Sequence, residues 1–314
     1  MIDKFENYYS IAPMMGKTDS YFCLLMELIN NNTTIYTEMM HSEAINRTNI
    51  LENYKALNSL SYIAIQIAGN CPKSLSKAAK KASTYGFSEI NINCGCPSKN
   101  VSAGKFGLSL LKNPKLVKQC INAIKNETST KVSVKTRIGI DYNSDNELLD
   151  NFIQEVNLSG VIKYIIHARN GILAKLSTKQ NLSIPSLNYK RVFDLKRKFK
   201  KNIIIINGGF LSTNNFDTYN KKVDGIMIGR EAYKNPWIFS KNTVSSNDKI
   251  NIVTKYIEKL IIYFEKRSFN KKSLYHIQNI FNNYYGAKDW RKNVNYAAQN
   301  NDLQHLLNYI KYIN

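Results

Sequence analysis

Cys96 stands in a setting that favours chemistry at its thiol. It follows the predicted strand Glu89–Cys94 and lies between Gly95 and Pro97, so we expect it on a stiff, exposed loop that can hold a reactive group. Cys94 and Cys96 are separated by a single residue, which does not fit the two-residue spacing of common zinc and thioredoxin-type motifs. The pattern therefore favours a functional role for Cys96 alone.

His167 ends the predicted strand Lys163–His167, and none of the other three histidines has such a position. No histidine or carboxylate lies at ligand spacing from it, so we expect no metal site. One interpretation is a histidine satisfied by its structural surroundings. The other is that His167, together with Lys135 and Gln66 on two further predicted strands, donates hydrogen bonds to an extended, planar ring system rich in carbonyl groups. That description fits a flavin.

Two loops of the chain could bind a phosphate group. Asn207 ends the seventh predicted strand and is followed by Gly208 and Gly209, while Gly229 and Arg230 follow the eighth. Glycine lets backbone amides approach a phosphate closely, and a guanidinium can bind it through two hydrogen bonds. Glycine pairs are often plain turns, but the placement of these loops at two adjacent strand ends favours a cofactor that carries phosphate.

These residues need a scaffold, and the pattern of the chain predicts one. Eight short β-type runs alternate with segments that carry apolar residues at helical spacing, which indicates βα units on a parallel sheet. Eight units match a TIM (β/α)8 barrel, whereas a doubly wound open sheet usually has fewer strands and needs a glycine-rich first turn that is missing here. The predicted strands are Tyr8–Met14, Thr33–Met39, Tyr62–Ala68, Glu89–Cys94, Lys131–Arg137, Lys163–His167, Ile203–Asn207 and Gly225–Ile228. The predicted helices between them include Tyr21–Asn30, Ser74–Tyr85, Leu108–Asn126, Asn146–Leu158 and Asn188–Phe199.

The strand Lys131–Arg137 divides its side chains between the two faces of the sheet. Successive residues point to opposite sides, so we expect the apolar set to pack on the helices and the polar set to face the barrel interior. Two cations in the polar set would then point toward the mouth, which suggests an anionic or electron-rich ligand. The outward set is Val132, Val134 and Thr136, and the inward set is Ser133, Lys135 and Arg137.

The strand pattern stops after about Asn242, and three helices are predicted beyond it: Asn251–Arg267, Ser273–Tyr285 and Asp302–Tyr312. Residues 241–314 hold 12 Lys and Arg against 5 Asp and Glu, with Tyr and Phe interleaved. We therefore expect two domains: a catalytic barrel over residues 1–242 and a small helical domain over residues 243–314. The stretch Ser245–Asn247 is the predicted linker.

The charge of the chain points to a polyanionic partner. Among 314 residues, 44 are Lys or Arg and 23 are Asp or Glu, for a formal net charge of +21. A solvated lysine surface arising from biased composition is one explanation, and binding to nucleic acid phosphates is the other. Membrane lipid is the weaker alternative, because no basic amphipathic segment is visible.

Composition excludes several classes of protein. A hydrophobic fraction of 43% is too high for a disordered chain, and the aliphatic runs are far shorter than the roughly 18 residues of a membrane span. Five scattered cysteines do not describe a disulfide scaffold, so we expect free thiols, with Cys23 and Cys120 buried and inert. Residues 1–10 show neither a secretory signal nor a transit peptide, and we expect a cytoplasmic protein.

Taken together, several segments resemble the tRNA-dihydrouridine synthase family, flavoenzymes that reduce uridine in the tRNA D-loop. The similar segments follow the family's order and extend over nearly the whole chain. They are Ile11–Met14, Tyr36–Met39, Ile65–Gly69, Asn91–Ser98, Val134–Gly139, Ile166–Arg169, Ile206–Gly209 and Gly225–Arg230.

Further stretches resemble the A subfamily, which modifies uridines 20 and 20a. These are Leu176–Asn181 with Ile184–Leu187, and the late segment Tyr285–Arg291. Several basic or proline positions of the subfamily hold Asn, Thr or Lys in this chain.

The resemblance implies a flavin site that agrees with the strand-end interpretation. It also implies that Cys96 is the general acid, that Asn93 contacts the target uracil or its nucleotide, and that Cys94 takes no part. The implied FMN contacts are Pro13, Met14, Met15, Gln66, Lys135, His167, Asn207, Gly208, Gly209, Gly229 and Arg230.

The chemistry implied by the family suits these residue types. NADPH reduces FMN, which delivers a hydride to C6 of uracil while Cys96 donates a proton to C5 from the opposite face. A free thiol has a pKa of about 8.5, so it is mostly protonated at neutral pH and can act as an acid. Lys135 would stabilise the anionic reduced flavin, and the basic helical domain would hold the tRNA while the base leaves its stack.

Two other functions are compatible with parts of the pattern. A barrel reductase that uses FMN on a small molecule would share the flavin residues but would not explain the charge. An RNA-binding barrel that has lost catalysis predicts damage at Cys96, Lys135 or His167, and all three are present. We expect a monomer.

Overall fold

The computed structural model describes residues 9–30, 32–142, 146–173, 176–213, 216–219, 221–240, 244–282 and 284–312. All strand pairs in the described chain are parallel, and pairing between the second and fourth strands closes the sheet into a barrel of eight strands. A ninth strand of two residues, β3, pairs with the end of β4. The strands are β1 (Tyr9–Ile11), β2 (Thr34–Tyr36), β3 (Met40–His41), β4 (Ile63–Ala68), β5 (Glu89–Cys94), β6 (Lys131–Arg137), β7 (Lys163–His167), β8 (Ile203–Asn207) and β9 (Gly225–Ile228).

Helices surround the barrel and continue beyond it, which confirms the predicted TIM barrel followed by helices. Among the described residues, no helix is long and apolar enough to cross a membrane. The helices are α1 (Ser20–Ile29), α2 (Ser42–Arg47), α3 (Glu52–Leu57), α4 (Pro72–Tyr85), α5 (Lys99–Ala103), α6 (Pro114–Glu127), α7 (Asn146–Asn157), α8 (Tyr189–Lys198), α9 (Phe216–Tyr219), α10 (Arg230–Lys234), α11 (Ser246–Phe264), α12 (Lys272–Tyr275), α13 (Ala287–Asn300) and α14 (Leu303–Tyr312).

The five strands from β5 to β9 have the bounds that the sequence predicts. The first three predicted strands are longer than those observed, and Tyr8 lies outside the described residues. The predicted helix Leu108–Asn126 begins too early, because residues 107–112 form a 3₁₀ helix instead. Pro114 then starts α6, and the side chain of Asn113 caps it by accepting from the amide of Leu116.

The two faces of the sheet bury different sets of side chains, as the alternation along β6 predicts. Val132 and Val134 belong to the large apolar cluster between the strands and the helices. A smaller apolar cluster fills part of the barrel interior, including Tyr36, Ile205 and Met227. The remaining interior is polar, and its residues lead to the candidate site.

The helices at the carboxyl end share an apolar cluster with the barrel's first helix. Val253 and Trp290 pack in this cluster together with Leu24 and Leu25 of α1. The predicted division at residue 242 falls on residues outside the described chain and stays a prediction.

Two expectations for this carboxyl-terminal region were wrong, and one helix was not predicted. The predicted helix Ser273–Tyr285 is reduced to one turn, α12, followed by turns. Helix α13 was not predicted, although Gly286 supplies a left-handed residue directly before it. The predicted linker Ser245–Asn247 is the start of α11, where the hydroxyl of Ser245 accepts from the amide of Asp248.

Candidate active site

The carboxyl ends of five neighbouring strands bring the predicted site residues together. Gln66 of β4 is paired with Asn91 of β5, which points to the same face as Asn93. Asn93 is paired in turn with Lys135 of β6. His167 is likewise paired with Asn207. Because paired residues in parallel strands point to the same face, the five predicted site residues among them all line the barrel interior near its mouth.

Cys96 is fixed through its backbone on the loop after β5. Its amide donates to Oδ1 of Asn93 over 3.0 Å, and its carbonyl accepts from the amide of Leu108 over 3.0 Å. Its thiol lies 3.5 Å from the hydroxyl of Ser98, and the side chain is partly exposed. The thiol is therefore held in place yet can reach a bound molecule.

Lys135 donates from its ammonium group to Oδ1 of Asn207 over 3.0 Å. Desolvation, followed by the neighbouring charge of Arg137, lowers the pKa of Lys135 from 10.5 to about 7. An anionic group bound beside Lys135 would stabilise its charged form and raise its pKa.

His167 is buried among cations and held next to a glycine loop. Burial, with the charges of Arg137 and Lys135, lowers the pKa of its imidazole well below the usual value, so the ring is neutral and donates one N–H. A Cβ on Gly208 would lie 2.7 Å from the ring. Gly208 also has a φ of +117°, so glycine is needed there both for the conformation and for the close approach.

The other predicted contact residues follow β1 and β9. A Cβ on Gly229 would meet the Sδ of Met14 at 3.8 Å, which places the loops after these two strands side by side. The amide of Met14 donates to the hydroxyl of Thr18 over 2.9 Å, and this turn leaves Met15 exposed. Pro13 precedes this turn.

The mouth of the barrel carries a concentration of positive charge. Arg230 is exposed, and its charge contributes to lowering the pKa values of Lys17, His167 and Arg169. Gly209 has a φ of +76° and continues the glycine turn that faces this charged rim. Backbone amides and guanidinium groups in this arrangement can bind a phosphate group.

Comparison with known proteins places the chain in a family. Residues 10–313 match the family described as dihydrouridine synthase (Dus). The chain belongs to this family. Proteins named tRNA-dihydrouridine(20/20a) synthase are 35% identical in Synechocystis sp. (93% of this chain, 90% of the relative), 36% in Shewanella oneidensis (94% and 90%) and 36% in Escherichia coli K12 (96% and 91%).

Solved structures of other proteins share the fold of this Dus family member. Morphinone reductase has a TM-score of 0.53 at 10% identity, covering 75% of this chain and 86% of that chain. An old yellow enzyme homologue from Zymomonas mobilis has a TM-score of 0.54 at 11% identity, covering 76% and 90%. At this identity the likeness shows the barrel fold alone.

Arg137, one of the two cations that the alternation along β6 directs toward the mouth, binds three backbone carbonyls. Its guanidinium donates to the backbone carbonyls of Gly95 at 3.1 Å, Asn170 at 2.9 Å and Asn181 at 3.1 Å. These contacts tie the Cys96 loop to the segment after β7. Three of its five N–H donors are engaged in this way, so Arg137 has a structural role, and the expectation that it also points toward a ligand stays a prediction.

Of the polar residues that lie beneath the site, Ser133 was expected in the barrel interior, whereas Asn91 and Glu89 were not. Asn91 and Ser133 are buried in the interior, and Glu89 lies at the opposite end of the barrel. The signal was present in the alternation of Glu89, Asn91 and Asn93 along β5, since all three share the inward face. Ser98, which contacts the Cys96 thiol, was also missed.

Cys94 is buried on the outward face of β5, away from the barrel interior. Desolvation there raises the pKa of its thiol, and the expectation that Cys94 takes no part in the chemistry stays a prediction. Cys23 and Cys120 are buried, and all five thiols are free, as predicted. Within the described ranges, no three histidine, cysteine or carboxylate side chains are grouped so that they could hold a metal ion.

Proposed function

We propose that this protein is an FMN-dependent tRNA-dihydrouridine synthase that reduces the C5–C6 double bond of uridine in the tRNA D-loop, at position 20 or 20a. The relatives with that name extend over more than nine tenths of this chain. The observation that carries the proposal is the position of Cys96, whose backbone amide is held by Asn93 and whose partly exposed thiol lies close to the cations Lys135 and Arg137.

The residues present fit FMN. The close approach of Gly208 to His167 leaves a backbone edge without side chains, and Gly209 and Gly229 extend that edge toward Arg230. Amides and a guanidinium there suit the phosphate of FMN. The donors of Lys135, His167 and Gln66 suit the carbonyl-rich edge of an isoalloxazine ring, with Pro13, Met14, Met15 and Asn207 beside them.

When bound, FMN would supply the hydride that adds to C6 of uracil, with NADPH as the reductant. The protein's own part is positioning and proton transfer. Cys96 donates its Sγ proton to C5, and the hydroxyl of Ser98, 3.5 Å away, is placed to bind the sulfur during that step. Lys135 supplies positive charge where negative charge develops, and neutral His167 supplies a single N–H donor. Asn93 contacts the base.

The charge of the chain fits a tRNA partner. The formal net charge of +21 and the cationic rim at the barrel mouth would attract an RNA backbone. We propose that the barrel, residues 1–242, binds FMN and that the helical region, residues 243–314, holds the tRNA. We propose a monomer, and tRNA as substrate supports a cytoplasmic location.

The test is to map dihydrouridine by position in tRNA from cells that lack this gene. Complementation uses the wild type, Cys96→Ala, or Cys71→Ala, whose cysteine is exposed and is not among the candidate site residues. We expect loss at position 20 or 20a, restored by the wild type and by Cys71→Ala but not by Cys96→Ala. Unchanged tRNA would refute the proposal and favour a reductase that acts on a small molecule.

A further inference from the structure

An unbroken chain of hydrogen bonds crosses the barrel interior from the Cys96 loop to Glu89. Each residue along it donates to the next one in the direction of Glu89, and the links from Gln66 to Asn91 and from Asn91 to Ser133 join paired residues of neighbouring strands. The links run from the amides of Gly95 and Cys96 to Asn93 Oδ1 (3.1 and 3.0 Å), from Asn93 Nδ2 to Gln66 Oε1 (2.8 Å), from Gln66 Nε2 to Asn91 Oδ1 (2.8 Å), from Asn91 Nδ2 to Ser133 Oγ (2.7 Å), and from the Ser133 hydroxyl to Glu89 Oε1.

The upper end of the chain determines which way the amides face. Backbone N–H groups can only donate, so the side chain of Asn93 must turn its oxygen toward them. Its Nδ2 then faces Gln66, which must accept this hydrogen bond with its Oε1. The same requirement passes to Asn91, whose nitrogen faces the hydroxyl of Ser133.

At its lower end, Glu89 independently requires the same direction of donation along the chain of hydrogen bonds. The carboxylate of Glu89 is paired with the ammonium of Lys163 at 2.7 Å and also accepts from the hydroxyl of Tyr36 at 2.7 Å. A carboxylate in this pairing only accepts, so Ser133 must donate to it and must accept from Asn91. The two ends agree, and neither Gln66 nor Asn93 can reverse its amide without breaking a buried hydrogen bond.

This direction limits what Asn93 can offer to a bound base. Both lone pairs of its Oδ1 are engaged by the amides of Gly95 and Cys96, and one Nδ2 hydrogen is engaged by Gln66. Among the described residues, the second Nδ2 hydrogen has no partner. Toward the mouth, Asn93 is therefore a donor only, and it suits a carbonyl oxygen of the base rather than the N3–H group.

We propose that Glu89 and Ser133 are positioning residues for base recognition: through this chain they hold Asn93 with its N–H directed at a carbonyl oxygen of the target uracil. The inference rests on the proposed function, because it takes uridine as the substrate. Glu89 touches neither substrate nor cofactor and acts only through the intervening side chains.

The experiment compares holoenzyme variants in their steady-state reduction of tRNA by NADPH. Ser133→Ala removes one link, and Glu89→Gln replaces the acceptor that ends the chain with a group that can also donate. We expect each to lower kcat/KM for tRNA about tenfold, the effect of one hydrogen bond to the substrate, mainly through a higher KM. Ile205→Val is the control, since Ile205 lines the same interior in its apolar cluster.

A double-mutant cycle separates positioning from general destabilisation. In the Asn93→Ala background, Ser133→Ala should lower kcat/KM by less than a factor of about two, because the residue it positions is gone. A tenfold loss that persists in that background, or no loss in the presence of Asn93, would overturn the proposal. If Glu89→Gln fails to fold, Ser133→Ala decides the outcome, since it leaves the pair of Glu89 and Lys163 in place. A wild-type enzyme that forms no dihydrouridine would refute the proposed function instead.

Discussion

Lys135 and Asn207, 72 positions apart, meet over 3.0 Å through Nζ and Oδ1 inside the barrel mouth. Asn207 also donates from its Nδ2 to the carbonyl of Met227 over 2.8 Å, so its oxygen has to face the lysine. One asparagine thereby connects the three strands β6, β8 and β9 and holds the ammonium group of Lys135 at the mouth. The ammonium group is kept there although its desolvation lowers the pKa of Lys135 to about 7.

The lowered pKa of Lys135 predicts a pH-dependent gain in stability for Lys135→Met. Between pH 7 and 10.5 the unfolded chain binds a proton that the folded chain does not, so the free energy of unfolding of the wild type rises with pH in that window. Below pH 7 the cost of the buried charge is present in full. We expect the flavin-free Met variant to be more stable than wild type by about 1–2 kcal/mol at pH 6, with the gain vanishing near pH 10.

Urea unfolding at both pH values measures this difference. Lys131→Met, at the exposed start of the same strand, is the control and should change stability by less than about 0.5 kcal/mol. An equal gain for Lys135→Met at pH 6 and pH 10 would contradict the assignment of the effect to titration.

Gly208→Ala should destabilise the protein beyond the ordinary cost of a left-handed alanine. The new Cβ would lie 2.7 Å from the ring of His167 at a φ of +117°. Gly86→Ala is the matched control, because Gly86 has a φ of +94° with nothing near its missing Cβ. We expect a loss of about 1–2 kcal/mol for the control and a larger loss for Gly208→Ala, together with a lower FMN content after purification. Equal losses in thermal melts would show that His167 moves aside freely.

Cys96→Ala should separate the two halves of the proposed reaction. The rate of flavin reduction by NADPH should stay within a factor of about two, while single-turnover reduction of tRNA should fall about 10²–10⁴-fold, as expected when a general acid is lost. Stopped-flow absorbance of the flavin follows both steps. Retention of the tRNA step in Cys96→Ala would exclude its thiol as the proton donor.

Arg137→Lys should destabilise the protein although it retains the charge. An ammonium group cannot reproduce the forked contact with the carbonyls of Gly95, Asn170 and Asn181. Loss of about two hydrogen bonds predicts a decrease in the free energy of unfolding of about 2–4 kcal/mol, with faster hydrogen exchange in the Cys96 loop. Arg47→Lys, on the exposed surface, is the control. Wild-type exchange in Arg137→Lys would show that the loop does not depend on this residue.

The sequence alone determined the architecture and most of the candidate site. Strand alternation, eight βα units and glycine at the ends of β8 and β9 are local patterns, because each depends on residues close together in the chain. They suffice to predict that Gln66, Lys135 and His167 gather at one mouth, since the carboxyl ends of parallel strands must meet there. Local signals also failed where they were weak, as in the missed helix α13.

Only the tertiary structure decided what each polar side chain does. Arg137 and Lys135 share a face of the sheet, yet Arg137 binds three backbone carbonyls whereas Lys135 binds the side chain of Asn207. The direction of the hydrogen-bond chain from Cys96 to Glu89 likewise depends on partners that come from three different strands. Hydrogen bonds are short and directional, so their assignment needs atomic positions that spacing along a sequence does not contain.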